Sequence, residues 1–185
     1  MHERGMPVEV LFFASVPQIS LYFRTPPNTQ RGESHTLEHL LLGKGKAGRK
    51  LNTLMPMRMG DYTAGTHSDI TNYQMSSAAG PTEFYELAET FLRALIHPDF
   101  TDEEVRREVA HYSVAEDSAA LKLEEKGTVY NEMVSRMENP DSITWDQLGR
   151  MMYGPRHPLA RNQGGDPPEI WKLTPQEIRD FHAAH

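Results

Sequence analysis

Two imidazoles and a carboxylate fall within five consecutive positions of this 185-residue chain, in the string His35-Thr-Leu-Glu-His39. Residues four apart lie on one face of a helix, one turn above each other. If the segment is helical, the ring nitrogens of His35 and His39 can therefore converge on a single cation. Glu38, three residues after His35, projects near the same face. There a carboxylate can accept a proton from a water on that cation without itself being a ligand. The bland alternative is an amphipathic helix whose histidines merely line its polar side. Leu37, Leu40, Leu41 and Leu42 weigh against it, because burying that apolar back would hold the His/Glu side at a fixed depth in a cleft. Two histidines do not complete a catalytic zinc site, which needs a third protein ligand and an open position.

Composition narrows what such a site can be. The chain has no cysteine, so any transition-metal site must be built from histidine and carboxylate. Nineteen basic against 26 acidic residues give a formal charge of −7, and no basic run occurs. This argues against nucleic acid or an anionic membrane as the main partner. The length suits one domain with a proper core. The apolar stretches are far shorter than a membrane span, and the N-terminus lacks the layout of a signal peptide. A cytoplasmic location is slightly favoured on those grounds, and the compartment is otherwise open.

Around the motif, alternation and turn chemistry predict the elements that must position it. Val8–Ala14 and Ile19–Thr25 read as two antiparallel strands, the second with Ile19, Leu21 and Phe23 on one side. Pro26 to Gly32 leads into the histidine helix, with Ser34 as its N-cap. Gly43-Lys-Gly-Lys-Ala-Gly48 reads as a mobile basic loop beside the cleft rather than a phosphate cradle, since it follows a helix and lacks the Gly-Lys-Ser/Thr ending. The methionine-rich stretch 51–59 is either a short helix or irregular lining. Gly60–Thr66 and Ile70–Ser76 form a hairpin around His67-Ser-Asp69. A histidine at a turn tip is usually a solvated turn residue, so His67 is rejected as the third ligand. Helical spacing predicts helices over 81–96, from Thr101 toward Val114, over 119–138, and near 142–153 and 174–184, with Gln163–Pro168 as a loop.

In the 119–138 segment Glu125 and Glu132 are seven apart and share a helical face. One could reach a metal while the other orients a ligand histidine. A solvated acidic face balanced by Lys126 and Arg136 fits equally well. Chemistry alone does not choose among Glu108, Glu125 and Glu132.

The chain resembles the N-terminal catalytic half of pitrilysin-type (inverzincin) zinc metallopeptidases, and most of all their presequence-protease branch. The residues that carry the resemblance are, in order, Phe23-Arg-Thr-Pro-Pro27, His35-Thr-Leu-Glu-His39, Thr71-Asn-Tyr73, a helix ending at Pro98, and Lys126-Gly-Thr-Val-Tyr-Asn-Glu-Met133. The resemblance implies Zn2+ held by His35, His39 and Glu132, with Glu38 as general base and with Glu125 and Glu108 in supporting positions behind the ligands. It places Thr63, Ala64 and Gly65 on the strand that pairs with extended substrate. This chain departs there, with Thr63 for the family's asparagine and Gly65 for an aromatic. It implies an α+β fold, a mostly antiparallel sheet with helices packed on one face. The implied substrate is unstructured peptide, and residues 1–185 form one half-domain of a much longer chain. The remaining half-domains, or a complementing chain, would be its partners and would supply an Arg/Tyr pair to the transition state. A zinc-binding but catalytically silent module is the alternative.

Overall fold

A computed structural model describes residues 7–12, 14–115 and 122–185. Its centre is a three-stranded antiparallel sheet of β1 (Gln18–Arg24), β2 (Gly60–Thr66) and β3 (Ile70–Ser77), in the order β1-β3-β2. Leu21 and Ala64 both stand opposite Tyr73 on the central strand. Thr71, Tyr73, Met75 and Ser77 are all buried, the period of two expected of a strand with one face on the core. Three helices pack against that face: α1 (Glu33–Gly43), α2 (Gly45–Met57) and α3 (Pro81–Ile96). The expected α+β arrangement is thus the observed one. The shared core runs through Leu40, Leu51, Met75, Leu87 and Phe91; each such side chain contributes roughly 1.5–3 kcal/mol on burial.

Beyond α3 follow α4 (Asp102–Val109), a separate hairpin of β4 (His111–Val114) and β5 (Leu123–Lys126), α5 (Thr128–Met137) and α6 (Pro140–Tyr153). A 3₁₀ turn (Pro158–Ala160), α7 (Pro167–Ile170) and α8 (Pro175–Ala184) close the described chain. The N-terminal signature at Thr101 is a complete capping box. The Thr101 hydroxyl accepts from the Glu104 N–H at 3.2 Å, and Glu104 accepts from the Thr101 N–H at 2.8 Å.

Several expectations are corrected. Among the described residues the stretch Val8–Phe12 pairs with no strand and is exposed; Phe13 lies outside them. The basic Gly43–Gly48 segment is mostly the first turn of α2, entered through Gly45 at φ +67°. Helix α1 is capped by Gly32 rather than Ser34, and Ser34 is buried inside its first turn. The helix from Thr101 stops at Val109, and the chain runs on as β4.

The predicted helix over 119–138 is instead a strand followed by a helix, and its first three residues lie outside the described ones. The break is Gly127, at φ +148°. A Cβ there would strike the backbone of Val109 and Ala110, so only glycine lets β5 turn so close beneath α4. Part of the expected 163–168 loop is the start of α7.

Candidate metal centre

Helix α1 presents the motif because its back is gripped by the core. Leu37, Leu40, Leu41 and Leu42 are all buried. Its entry is held by the segment after the 3₁₀ turn, where the Asp166 N–H donates to the Gln30 carbonyl at 2.8 Å and Arg161 donates to the Pro27 carbonyl at 2.7 Å. Gly32 sits at φ +74°, where a Cβ would collide with the Gly164 carbonyl, and this lets the two segments close on each other. The third donor arrives on α5. Val129 and Met133 are fully buried and set the rotation that turns Glu132, on the turn between them, toward the histidines.

The three donor atoms form a compact triangle. Nε2 of His35 lies 3.2 Å from Nε2 of His39, and Glu132 Oε2 lies 3.5 Å from the first and 3.6 Å from the second. A tetrahedral zinc with ordinary bond lengths separates its ligand atoms by about 3.3–3.5 Å. The observed edges match that spacing, so the residues present fit the ion that the family resemblance implies. His35, His39 and Glu132 also form a His/acid group able to hold a metal ion among the described residues.

The surroundings tune each donor. Glu108 Oε1 stands 3.0 Å from His39 Nδ1, and its other oxygen is 2.9 Å from Lys44 Nζ. Burial disfavours the charged Glu108 carboxyl. Bonds from His39, Lys44 and Thr128 nevertheless outweigh it and hold the group down at about 2. The same bond to Glu108 raises His39 above its usual value, against the opposing effect of burial. A His39 that donates Nδ1–H to Glu108 keeps its Nε2 lone pair aimed into the triangle. His35 is pushed down to about 4, first by burial and then by the neighbouring His39, so it is neutral near pH 7, the form that ligates a metal. Arg136 Nη2 lies 3.2 Å from Glu132 Oε1, which leaves Oε2 to face the rings.

Glu38 points into the same cleft, a hollow of about 480 Å³ that also takes in Ala64, Gly65 and Thr66 of β2. Its Oε2 accepts a hydrogen bond from the Thr66 hydroxyl at 2.6 Å. Of the three positions expected to meet substrate, Ala64 and Gly65 line the cleft, whereas Thr63 is exposed outside it. His67 borders the cleft but binds Asn72 Oδ1 at 3.0 Å and stands outside the donor triangle. The expectation that Glu125 shares a face with Glu132 fails, since the two lie on different elements. Glu125 belongs to β5 and accepts from the Tyr130 hydroxyl. No pattern in the sequence points to Lys44 or Thr66, because neither stands at a helical spacing from the motif. Arg136, four residues after Glu132, was legible only as a counter-charge.

A helix-borne His-x-x-Glu-His pair thus meets a distant glutamate in an α+β frame, a group that could hold a divalent metal ion. The chain belongs to the insulinase family, peptidase family M16, whose model matches residues 24–155. It is 34% identical over 169 residues to Protein HypA of Clostridium perfringens, which covers 86% of this chain and 17% of that protein. It is 31% identical over 166 residues to presequence protease 1, chloroplastic/mitochondrial, of Arabidopsis thaliana, with 86% of this chain and 15% of the relative covered. The chain therefore spans about a sixth of the length of these relatives. Among solved structures, the fold is shared with a putative M16-like peptidase from Alicyclobacillus acidocaldarius. The TM-score is 0.68 at 18% identity, over 89% of this chain and 37% of that one. A peptidase M16 inactive domain from Pseudomonas fluorescens also has a TM-score of 0.68, at 19% identity, over 90% and 37% of the two chains.

Proposed function

We propose that this chain is the zinc-dependent catalytic half-domain of an endopeptidase or oligopeptidase that hydrolyses unstructured peptides. His35, His39 and Glu132 would hold the ion. When bound, zinc supplies Lewis acidity that polarises a carbonyl and makes water acidic enough to lose a proton near neutral pH. The chain's own residues do the rest. Glu38 takes up that proton and returns it to the leaving amine, the two roles of a single carboxylate base and acid. Among the described residues β2 is an edge strand, and its outer edge, next to Glu38, would offer backbone groups to an extended peptide. Glu108 and Arg136 hold two of the donors in the orientation the ion needs.

The observation that carries this reading is the match of the 3.2, 3.5 and 3.6 Å donor edges to a tetrahedral ion, with a spare carboxylate alongside. Metal analysis and cleavage of an unstructured peptide, with and without chelator, test it. One zinc per chain and chelator-sensitive cleavage are expected. Glu38→Gln should keep the zinc and abolish turnover.

A second reading is favoured by one observation, the coverage of only 15–17% of the relatives' length. In it, residues 1–185 bind zinc but stay silent until further half-domains complete the site. Zinc binding without cleavage, followed by cleavage once the longer chain is supplied, would select this version.

A further inference from the structure

We propose that Thr66 is a positioning residue for Glu38, and that it ties the proton-transferring carboxylate to the strand on which substrate is laid; this rests on the peptidase reading above. A side-chain bond joins two walls of the cleft. Glu38 comes from α1 and Thr66 from the last position of β2, and the Thr66 hydroxyl donates to Glu38 Oε2 at 2.6 Å. That length is typical of a hydroxyl donating to an ionised carboxylate, a charge-assisted bond stronger than a neutral one.

The placement follows from the period of two along β2. Tyr62, Ala64 and Thr66 share the face turned to the helices. Tyr62 donates to Asn52 of α2 and reaches the Leu42 carbonyl of α1, Ala64 packs on the core, and Thr66 reaches Glu38. The alternate position Thr63 is exposed.

The consequence is a division of labour between the two carboxylate oxygens. Oε2 is engaged by Thr66, so Oε1 is the atom left to exchange a proton. A carboxylate is otherwise free to swing about its terminal torsion, which is broad and two-fold. A peptide that pairs with the outer edge of β2 sets its register by the same strand that holds Glu38. Scissile bond and base are therefore aligned from one rigid element, and alignment of that kind governs the rate more than the binding.

The test compares Thr66→Val, which keeps the shape and removes the donor, with Thr66→Ser, which keeps the donor. In the zinc-loaded chain, extended by its further half-domains if cleavage requires them, Thr66→Val is expected to lower kcat ~10- to 100-fold at unchanged KM and zinc content. Thr66→Ser should restore most of it. A purely structural role would lower zinc content or raise KM and would not be rescued by serine; either result overturns the proposal, as does an unchanged kcat in Thr66→Val. A second readout is independent of turnover: the carbon-13 resonance of the Glu38 carboxylate should move in Thr66→Val and return in Thr66→Ser. If it does not move, the contact is not made and the inference fails while the peptidase reading stands. If instead the wild-type holoenzyme cleaves nothing, the peptidase reading fails, and the positioning role falls with it even where the carboxylate signal still reports the bond.

Discussion

Glu108 Oε1 lies 3.0 Å from His39 Nδ1 while its other oxygen lies 2.9 Å from Lys44 Nζ, so one buried carboxylate on α4 holds both a donor histidine and the residue that ends its helix. A histidine whose far nitrogen is committed to a carboxylate is fixed in tautomer and ring angle and is a more basic donor. Bonds from His39, then Lys44 and Thr128, keep Glu108 ionised in a site where burial alone would favour its neutral form.

Glu108→Gln should weaken zinc affinity roughly 10- to 100-fold, the range seen when a partner behind a ligand histidine is lost. Competition with a chromophoric chelator measures it. An affinity equal to that of the wild type would remove Glu108 from the support of His39.

Removing a donor is expected to be more severe than removing a support. Glu132→Ala should abolish stoichiometric zinc, whereas Arg136→Ala, which only frees Glu132 Oε1, should retain the ion with reduced affinity. Metal analysis after dialysis separates the two. Stripping zinc from the wild type should also lower its melting temperature, because a ligand bound only by the folded state stabilises it.

Acid stability should depend on Glu104. Burial opposes its charge, but N–H groups of Thr101 and Gly45, the Thr101 hydroxyl and the Arg49 guanidinium hold the carboxyl at about 2, against 4.5 for an ordinary glutamate. The folded value is depressed, so the unfolded chain binds the proton more readily. The contribution is fully present above about pH 4.5 and is lost as the pH falls toward 2. Solvent screening at this surface carboxyl, whose Arg49 partner is exposed, discounts the contribution to about 1 kcal/mol. Glu108 acts in the same window and with the same sign. Denaturant titrations between pH 6 and 3 should show stability falling with acid, and Glu104→Gln should flatten part of that slope.

Gly127 is the hinge on which Glu132 depends. At φ +148°, with Val109 backbone where a Cβ would go, Gly127→Ala should cost on the order of 1–3 kcal/mol or more and lower zinc occupancy by displacing α5. An alanine variant with wild-type melting temperature and full zinc would show that α5 does not need this turn.

The histidine helix, its leucine back and the alternating strands β1 to β3 were legible from residue order, because each is a local pattern whose period states its own geometry. The capping box at Thr101 was legible for the same reason. The expected helix through 119–138 was not a helix throughout. Glu125, Lys126 and Thr128 carry a composition compatible with a helix, and only the close passage of Gly127 under α4 turns the first part into a strand. That passage separated Glu125 from Glu132 and left Glu108, on another element, as the residue that meets His39.

By itself, residue order determined that any metal here must be held by histidine and carboxylate, that His35 and His39 share a helical face with Glu38 beside them, and that an apolar back anchors that helix. The chemistry of residue order left the third glutamate open and only the family resemblance pointed to Glu132; that its side chain meets both rings, that Glu108 is the one behind His39 and that Thr66 reaches Glu38 were decided by the tertiary structure. Those are contacts between residues 28 to 97 positions apart. No local period encodes such distances, and they arise from how α4, α5 and β2 pack around α1.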